Sequence, residues 1–211
     1  MSVDALSLSS RSALRRHVAV EARSRGARLP MTALDDGTLV QQCLDGNTAA
    51  FDELVERHRR QVYQVCYRFV NNHEDASDLA QDAFLRAYRA LHTFKGNSAF
   101  STWLYRVAVN VCLNRVSEKR AATEPIDQRE HQDVRGELPD RGVLRQEQAA
   151  TVRAAIARLP KKQRATMILR VYHELPHEQI AAILGSSVGA VKANFFHALA
   201  NLKKLLQEKT R

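Results

Sequence analysis

The chain reads as all-α: two small helical domains joined by a flexible linker, the second containing a helix-turn-helix. Three observations predict this. Apolar residues recur at three- to four-residue spacing along most of the sequence. Helix breakers are scarce, with 8 Gly and 5 Pro in 211 residues. One charged stretch in the middle loses apolar periodicity altogether. The divisions that follow are an extension at 1–32, a first domain at 33–120, a linker at 121–143 and a second domain at 144–211.

Residues 1–30 are rich in Ser and Arg and have no apolar core of the kind a secretory signal carries. They read as a disordered extension, or as sequence upstream of a true start at Met31, in preference to a targeting peptide. From Leu34 to Arg120 the pattern is helical. Asn47 or Thr48 caps a helix whose apolar face is Phe51, Leu54, Val55, Val62, Val65, Cys66 and Phe69. Asn71-Asn72-His73 is a break. Asp75 or Ser77 opens the next helix, which turns Leu79, Ala80, Ala83, Phe84, Ala87, Tyr88 and Leu91 inward. Glu74, Asp75, Asp78 and Asp82 fall in its first turns, where carboxylates suit the helix dipole. His92 to Ser98 reads as a loop, and Ser98 or Ser101 caps a third helix through Trp103, Leu104, Val107, Ala108, Val111 and Cys112.

Residues 121–142 hold two Pro, two Gly and many charges, which is linker composition. Periodicity resumes near Leu144; Ile156 and Leu159 close one helix, Pro160 marks a boundary, and Met167, Ile168, Leu169 and Val171 lie in the next.

The charge is +9 overall and alternates in blocks. Residues 31–82 carry four basic and ten acidic groups; residues 83–120 carry seven basic and one acidic; residues 143–211 carry twelve basic and four acidic. A basic balance suits a polyanion, nucleic acid first, and alternation suggests several surfaces for different partners. Cys43, Cys66 and Cys112 form no CxxC pair and are odd in number, so they read as buried thiols. No apolar run nears the roughly 18 residues that span a bilayer. No Walker-type Gly loop or metal-ligand spacing is present, so neither a catalytic centre, a cofactor nor a metal is expected.

The run from His177 to Lys192 has the logic of a helix-turn-helix. A short helix stops at Gly185, Ala181 is small where a second helix must pass, and Ser186 or Ser187 caps that helix. Val188, Val191, Phe195, Leu199 and Leu202 are expected to face inward. Ala190, Lys192, Ala193, Asn194, His197 and Asn201 are left outward, with Lys192 suited to phosphate or guanine and Asn194 to adenine. Lys161, Lys162, Arg164, Arg170, Lys203 and Lys204 are candidates for added phosphate contacts. Upstream, Phe94 to Arg106 mixes rings, amides and cations, a set able to hold an unstacked base. Trp103 shares a face with Val107 and Val111 and belongs to the core; Phe94 and Asn97, in the loop, are the better binding candidates.

DASDLAQDAFLRAYRAL (75–91) followed by FKGNSAFSTWLYRVAVN (94–110) resembles region 2 of extracytoplasmic-function sigma factors of the sigma-70 family. LPKKQRATMILRVYHELPHEQIAAILGSSVGAVKANFFHALANLKKLL (159–206) resembles their region 4. The resemblance covers about 33–120 and 144–207. It implies an alternative sigma factor, not an enzyme, that binds RNA polymerase core, recognises −10 and −35 promoter elements and promotes strand opening. By position it implies that Asp78, Gln81 and Asp82 grip a coiled coil on the large polymerase subunit. Phe94, Lys95, Asn97 and Ser98, with Arg106, Asn110 and Arg115, would take the −10 strand. Ser187, Ala190, Lys192, Asn194 and His197 would read the −35 duplex, with region 4 on the polymerase flap. An anti-sigma protein is an expected partner, no membrane insertion is expected, and the expected place is the cytoplasm, on the nucleoid when in holoenzyme. Relatives often carry several Arg on the exposed side of the −35 helix; the thin set here implies a distinct promoter motif. The rival readings are a one-component helix-turn-helix regulator, which would bind duplex DNA unaided as a symmetric dimer, and an enzyme or helical scaffold with incidental basic regions.

Overall fold

The computed structural model describes residues 30–122 and 141–209, and all regular structure among them is helical. Eight α-helices follow in order: α1 (Asp36–Leu44), α2 (Thr48–Val70), α3 (His73–Ala90), α4 (Phe100–Ala122), α5 (Arg141–Arg158), α6 (Lys161–Val171), α7 (His177–Leu184) and α8 (Val188–Lys209). Helix α4 thus runs two residues past the expected domain end at 120, and α5 begins inside the expected linker. The rest of that linker and the extension before Pro30 lie outside the described residues.

Local chemistry sets each helix end. Asp35 caps α1, its carboxylate accepting from the Thr38 amide at 2.9 Å and from the Thr38 hydroxyl at 2.9 Å. Those bonds favour the carboxylate and lower the Asp35 pKa. The amino-terminal strap is tied down by Arg57, which donates to the carbonyls of Met31 (2.8 Å) and Leu34 (2.7 Å) and pairs with Asp36 and Glu53. Helix α2 ends at Asn71, in the left-handed region at φ 53, a conformation Asn tolerates. The break at 71–73 is shorter than expected: Asn72, not Asp75 or Ser77, caps α3 by accepting from the Asp75 amide at 2.9 Å. Ser101 lies within α4 and Ser98 turns its hydroxyl to the Ala99 carbonyl, so neither serves as the expected cap; the Ala99 carbonyl accepts from the amides of Thr102 and Trp103.

In the first half, α2 is the spine, packed on α1, α3 and α4. Leu54, Val65, Cys66, Phe69, Ala83 and Ala87 are fully buried, as their spacing requires. Tyr88 is the exception on α3: it is 46% exposed, lying edge-on to Phe51 at the rim. In the second half α8 packs on α5, α6 and α7. Its inward residues are Val191, Phe195, Ala198, Leu202 and Leu205, a 3.5-residue repeat. Leu199 falls one position beyond that stripe and is 47% exposed, which corrects its expected inward placement.

The halves are not separate bodies. Helix α7 packs against α4, α6 against α2, and the buried apolar residues form one continuous cluster across both. Arg164 of α6 is 6% exposed and donates to the Phe69 carbonyl in the last turn of α2, and to the Ala157 carbonyl at 3.2 Å. The Arg68 guanidinium sits 4.1 Å from the Tyr172 ring centroid. Tyr105 of α4 meets the His173 ring edge to face at 5.8 Å. Arg106 Nε donates to the Ala182 carbonyl at 3.1 Å, joined by Nη2.

Two predictions follow from these elements. Gly185 stops α7 at φ 59 with open space where a Cβ would stand, so Gly185→Ala meets backbone strain alone. It should cost about 1 kcal/mol in urea denaturation, and Gly185→Asn less. The second concerns His173, whose pKa is lowered to about 4, first by burial and then by the nearby Arg68 charge. Above the ordinary value of 6.5 the imidazole is neutral whether folded or unfolded. As pH falls from 6.5 to 4 the unfolded chain takes up a proton the folded chain refuses, so stability drops across that window. His173→Leu should flatten that part of the stability–pH curve by on the order of 2 kcal/mol at pH 4; an unchanged slope would contradict the assignment.

Candidate nucleic-acid and polymerase interface

The loop after α3 is built on an aromatic base. A single 3-10 turn, Leu91–Thr93, closes the helix; Thr93 Oγ1 donates to the Ala90 carbonyl at 2.7 Å and the Phe94 amide to the Leu91 carbonyl at 3.0 Å. The chain then reverses through Gly96 at φ 71, a position that needs no side chain. Phe94 is not a free loop ring, as the sequence suggested. It is half-buried, 5.6 Å from Trp103 and 5.8 Å from Phe100, and Trp103 joins this cluster as expected of a core residue. Lys95, Asn97 and Ser98 stand exposed above the rings.

On α4, Arg106 and Asn110 are both exposed and one turn apart, in line with Asn114. They differ in availability: Asn110 faces solvent, whereas Arg106 is held by the Ala182 carbonyl. Arg115 is half-buried, and its Nε is buried with no hydrogen-bond partner among the described residues. The loop cations and amides therefore share a surface with the α4 stripe, and one end of that stripe is covered by α7.

Asp78 and Gln81 are exposed on the outer face of α3, with Asp82 half-buried one position on. Asp82 is paired with Arg86 at 2.9 Å, an exposed i,i+4 bridge that holds its carboxylate in place but adds little stability. The three residues lie at i, i+3 and i+4, one continuous patch.

In the second half, α7, the Gly185 turn and α8 form the expected helix-turn-helix. Ala181 is 6% exposed, and the Ser186 amide donates to its carbonyl at 3.0 Å. Of the two serines, Ser187 caps α8: its Oγ accepts from the Ala190 amide at 3.2 Å. Ala190, Lys192, Ala193 and His197 are exposed on α8 and Asn194 is half-buried beside them. Asn201 is committed to Gln163 at 2.8 Å. Lys161, Lys162, Lys203 and Lys204 are exposed around this helix. Two expected phosphate cations are not: Arg164 is buried on carbonyls, and Arg170 donates to the Leu175 carbonyl at 3.0 Å.

Sequence reasoning missed the seam residues Arg68, Tyr105, Arg164, Tyr172 and His173. Only Arg164 carried a signal, a cation directly abutting the buried stretch Ala165–Leu169. Among the described residues no group of His, Cys, Asp and Glu is placed to hold a metal, and no helix is long and apolar enough to cross a membrane. Cys66 and Cys112 are buried free thiols and Cys43 is partly buried.

Known proteins share this arrangement. Sigma-70 region 2 matches residues 54–122 and sigma-70 region 4 matches residues 149–202. The RNA polymerase sigma-H factor of Pseudomonas aeruginosa is 36% identical over 186 residues, covering 84% of this chain and 96% of that protein. The ECF RNA polymerase sigma factor SigW of Bacillus subtilis is 34% identical over 178 residues, covering 80% and 95%. Among solved structures, CnrH in complex with the cytosolic domain of CnrY aligns at TM-score 0.59 and 28% identity, over 82% of this chain and 97% of CnrH. Two regions in the same order, at this identity and length, set aside the one-component regulator and the enzyme or scaffold. The chain belongs to the extracytoplasmic-function group of the sigma-70 family, and is an alternative sigma factor, a transcription initiation factor rather than an enzyme.

Proposed function

We propose that the division of labour follows the two exposed polar surfaces. Residues 33–120 act as region 2 and residues 144–211 as region 4, with 121–143 as the connection between them. The α3 patch of Asp78, Gln81 and Asp82 docks on the large-subunit coiled coil of RNA polymerase, and region 4 on its flap. Lys95, Asn97 and Ser98 capture the opened −10 strand on the pedestal made by Phe94, with Arg106, Asn110 and Arg115 steadying its backbone. Helix α8 enters the major groove of the −35 element with Lys192, Asn194 and His197 toward base edges, and with Ala190 and the Ser187 turn close to the backbone. Strand opening is driven by trapping melted bases, without nucleotide hydrolysis. The work takes place in the cytoplasm, on the nucleoid once holoenzyme forms. An anti-sigma protein as partner is supported by the likeness to CnrH, which was solved with the cytosolic domain of CnrY.

The observation that carries this reading is the exposed Lys95–Ser98 loop following Phe94, which packs in a ring cluster with Phe100 and Trp103, beside a polar stripe of α4. Anchoring Phe94 in the ring cluster holds the start of the loop beside α4, which places the Asn97 amide on the same side as Asn110. Two results are expected. In run-off transcription with purified core, the wild-type chain yields promoter-specific transcripts, and Asn97→Ala lowers open-complex formation at least 10-fold while leaving core binding unchanged. Gln81→Ala with Asp78→Ala does the reverse, weakening core binding first; equal effects of both sets on core binding would overturn the assignment. Separately, chromatin sequencing of the tagged protein should recover a −35 motif unlike the familiar stress-response element, because α8 offers one lysine, one amide and one imidazole instead of an arginine set. Holoenzyme binding to that promoter should fall steeply with salt.

A further inference from the structure

The Lys95–Ser98 loop is bracketed by two rings. Phe94 precedes it and Phe100 opens α4 behind it, and the two meet edge to face at 5.8 Å. Both ends of the loop therefore close on one contact. Phe100 is backed from α2 by His58, whose imidazole lies 5.5 Å from it at a tilt of 57°. The His58 side chain is 12% exposed, and its Nε2 stands 2.7 Å from Asp36 Oδ2. A carboxylate only accepts, so Nε2 carries the proton and donates. Asp36 is itself fixed: its other oxygen accepts from Arg57 Nη1 at 3.2 Å, and Arg57 also donates to the Met31 and Leu34 carbonyls. Helix α1, which Asp36 opens, packs on the Leu91–Thr93 turn that leads into the loop.

We propose that Asp36 and His58 are a positioning pair for capture of the −10 strand: Asp36 holds the imidazole on Phe100, and Phe100 sets where the loop returns to α4. The proposal rests on the reading of Lys95–Ser98 as the loop that takes the opened strand. Two arguments carry it. First, an imidazole can lie against a ring at many tilts, and a short bond to a charged acceptor selects one of them. Phe100 is 3% exposed and touches Phe94, Trp103 and His58, so the choice made at His58 passes to the whole cluster. Second, a binding surface keeps its geometry only where the groups behind the contacting residues are locked by packing and hydrogen bonds. The exposed loop residues have no such lock of their own: the Ser98 hydroxyl reaches only the neighbouring Ala99 carbonyl. Their support comes from below, through Phe100, His58 and Asp36.

The test compares three full-length variants with wild type, each as holoenzyme with purified core: His58→Phe, which keeps a ring against Phe100 and loses the tether, Asp36→Ala, and the two combined. Asp36→Ala leaves Arg57 on Glu53 and on the Met31 and Leu34 carbonyls, so the strap stays tied. Core binding and helical circular dichroism are expected to be unchanged. Open-complex formation is expected to fall about 5-fold in each single variant and no further in the double, as two members of one unit require. Trp103, the chain's one tryptophan, reports on the ring cluster directly, and its emission in the free chain should move to longer wavelength in all three. In an Asn97→Ala background, His58→Phe should cost less than about 2-fold more, because it acts through the same loop. A residue that only stabilises the fold would show its full loss there, and that result overturns the positioning role. So do losses that multiply in the double variant, or wild-type open complexes in both single variants beside a full Asn97→Ala defect. Should His58→Phe fail to fold, Asp36→Ala meets the same test against Asn97→Ala. An Asn97→Ala holoenzyme that opens promoters like wild type strikes the loop reading itself, and the positioning role with it.

Discussion

The Arg164 guanidinium on the Phe69 carbonyl fixes one half of this molecule to the other. A buried guanidinium is costly unless its donors find acceptors, and here the last turn of α2 and the Ala157 carbonyl each accept from it. Both sides contribute to why the carbonyl is available. Helix α2 ends in a left-handed Asn71 whose amide returns to the Tyr67 carbonyl, leaving Phe69 oxygen without an intrahelical donor. The same turn drives the Phe69 ring fully into the first core while the Arg164 charge lies 5.8 Å from its centroid. Seam, core and helix end are therefore one construction, and the packing of α6 on α2 follows from it.

Arginine and lysine are used differently across the chain, and the difference refines what its +9 charge means. Arg57 ties the amino-terminal strap, Arg86 pairs with Asp82, Arg170 closes the turn after α6, and Arg68, Arg106 and Arg164 hold the seam. A planar, forked donor suits carbonyls and rings, so arginine is spent on structure. Apart from Arg106, which is held on the Ala182 carbonyl, the exposed cations named near the proposed DNA surfaces are Lys95, Lys161, Lys162, Lys192, Lys203 and Lys204. A lysine is a mobile point charge that attracts phosphate without fixing its orientation. The basic surface is thus expected to supply affinity and salt dependence, with discrimination left to amides.

Much of this was legible in the sequence because helical periodicity is a local property. The apolar faces of α2 and α3 were readable from spacing, as were the Gly185 stop and the place of α8. What failed had identifiable causes. Cap residues compete over one or two positions, and Asn72 won over Asp75 because its side chain reaches the amide three residues on. Leu199 looked inward from its three- to four-residue spacing, but two successive four-residue steps from Val191 carry it about 80° off the stripe at 100° per residue, whereas Ala198 stays within about 20° of it. Phe94 looked like a free loop ring because nothing local reveals that Phe100 and Trp103 fold back over it. The seam was invisible for a stronger reason: its partners are 76 and 95 residues apart, and cations, tyrosines and a histidine carry no periodic signal.

The makeup of α8 bears on how selective the proposed −35 contact can be. Ala190 and Ala193 allow close approach of the helix backbone to the groove but contribute no donor or acceptor. Asn194 is half-buried, so its amide is limited in the orientations it can take, which favours one base over several. His197 is exposed and lies edge-on to Phe196, a ring 69% exposed on the same helix. That contact biases the imidazole toward one orientation, and Lys192 remains free to choose among phosphates. A reader with one restrained amide and one oriented imidazole distinguishes few positions, at about 1–3 kcal/mol for each good pair. Selectivity for a small set of promoters would then have to come jointly from both elements.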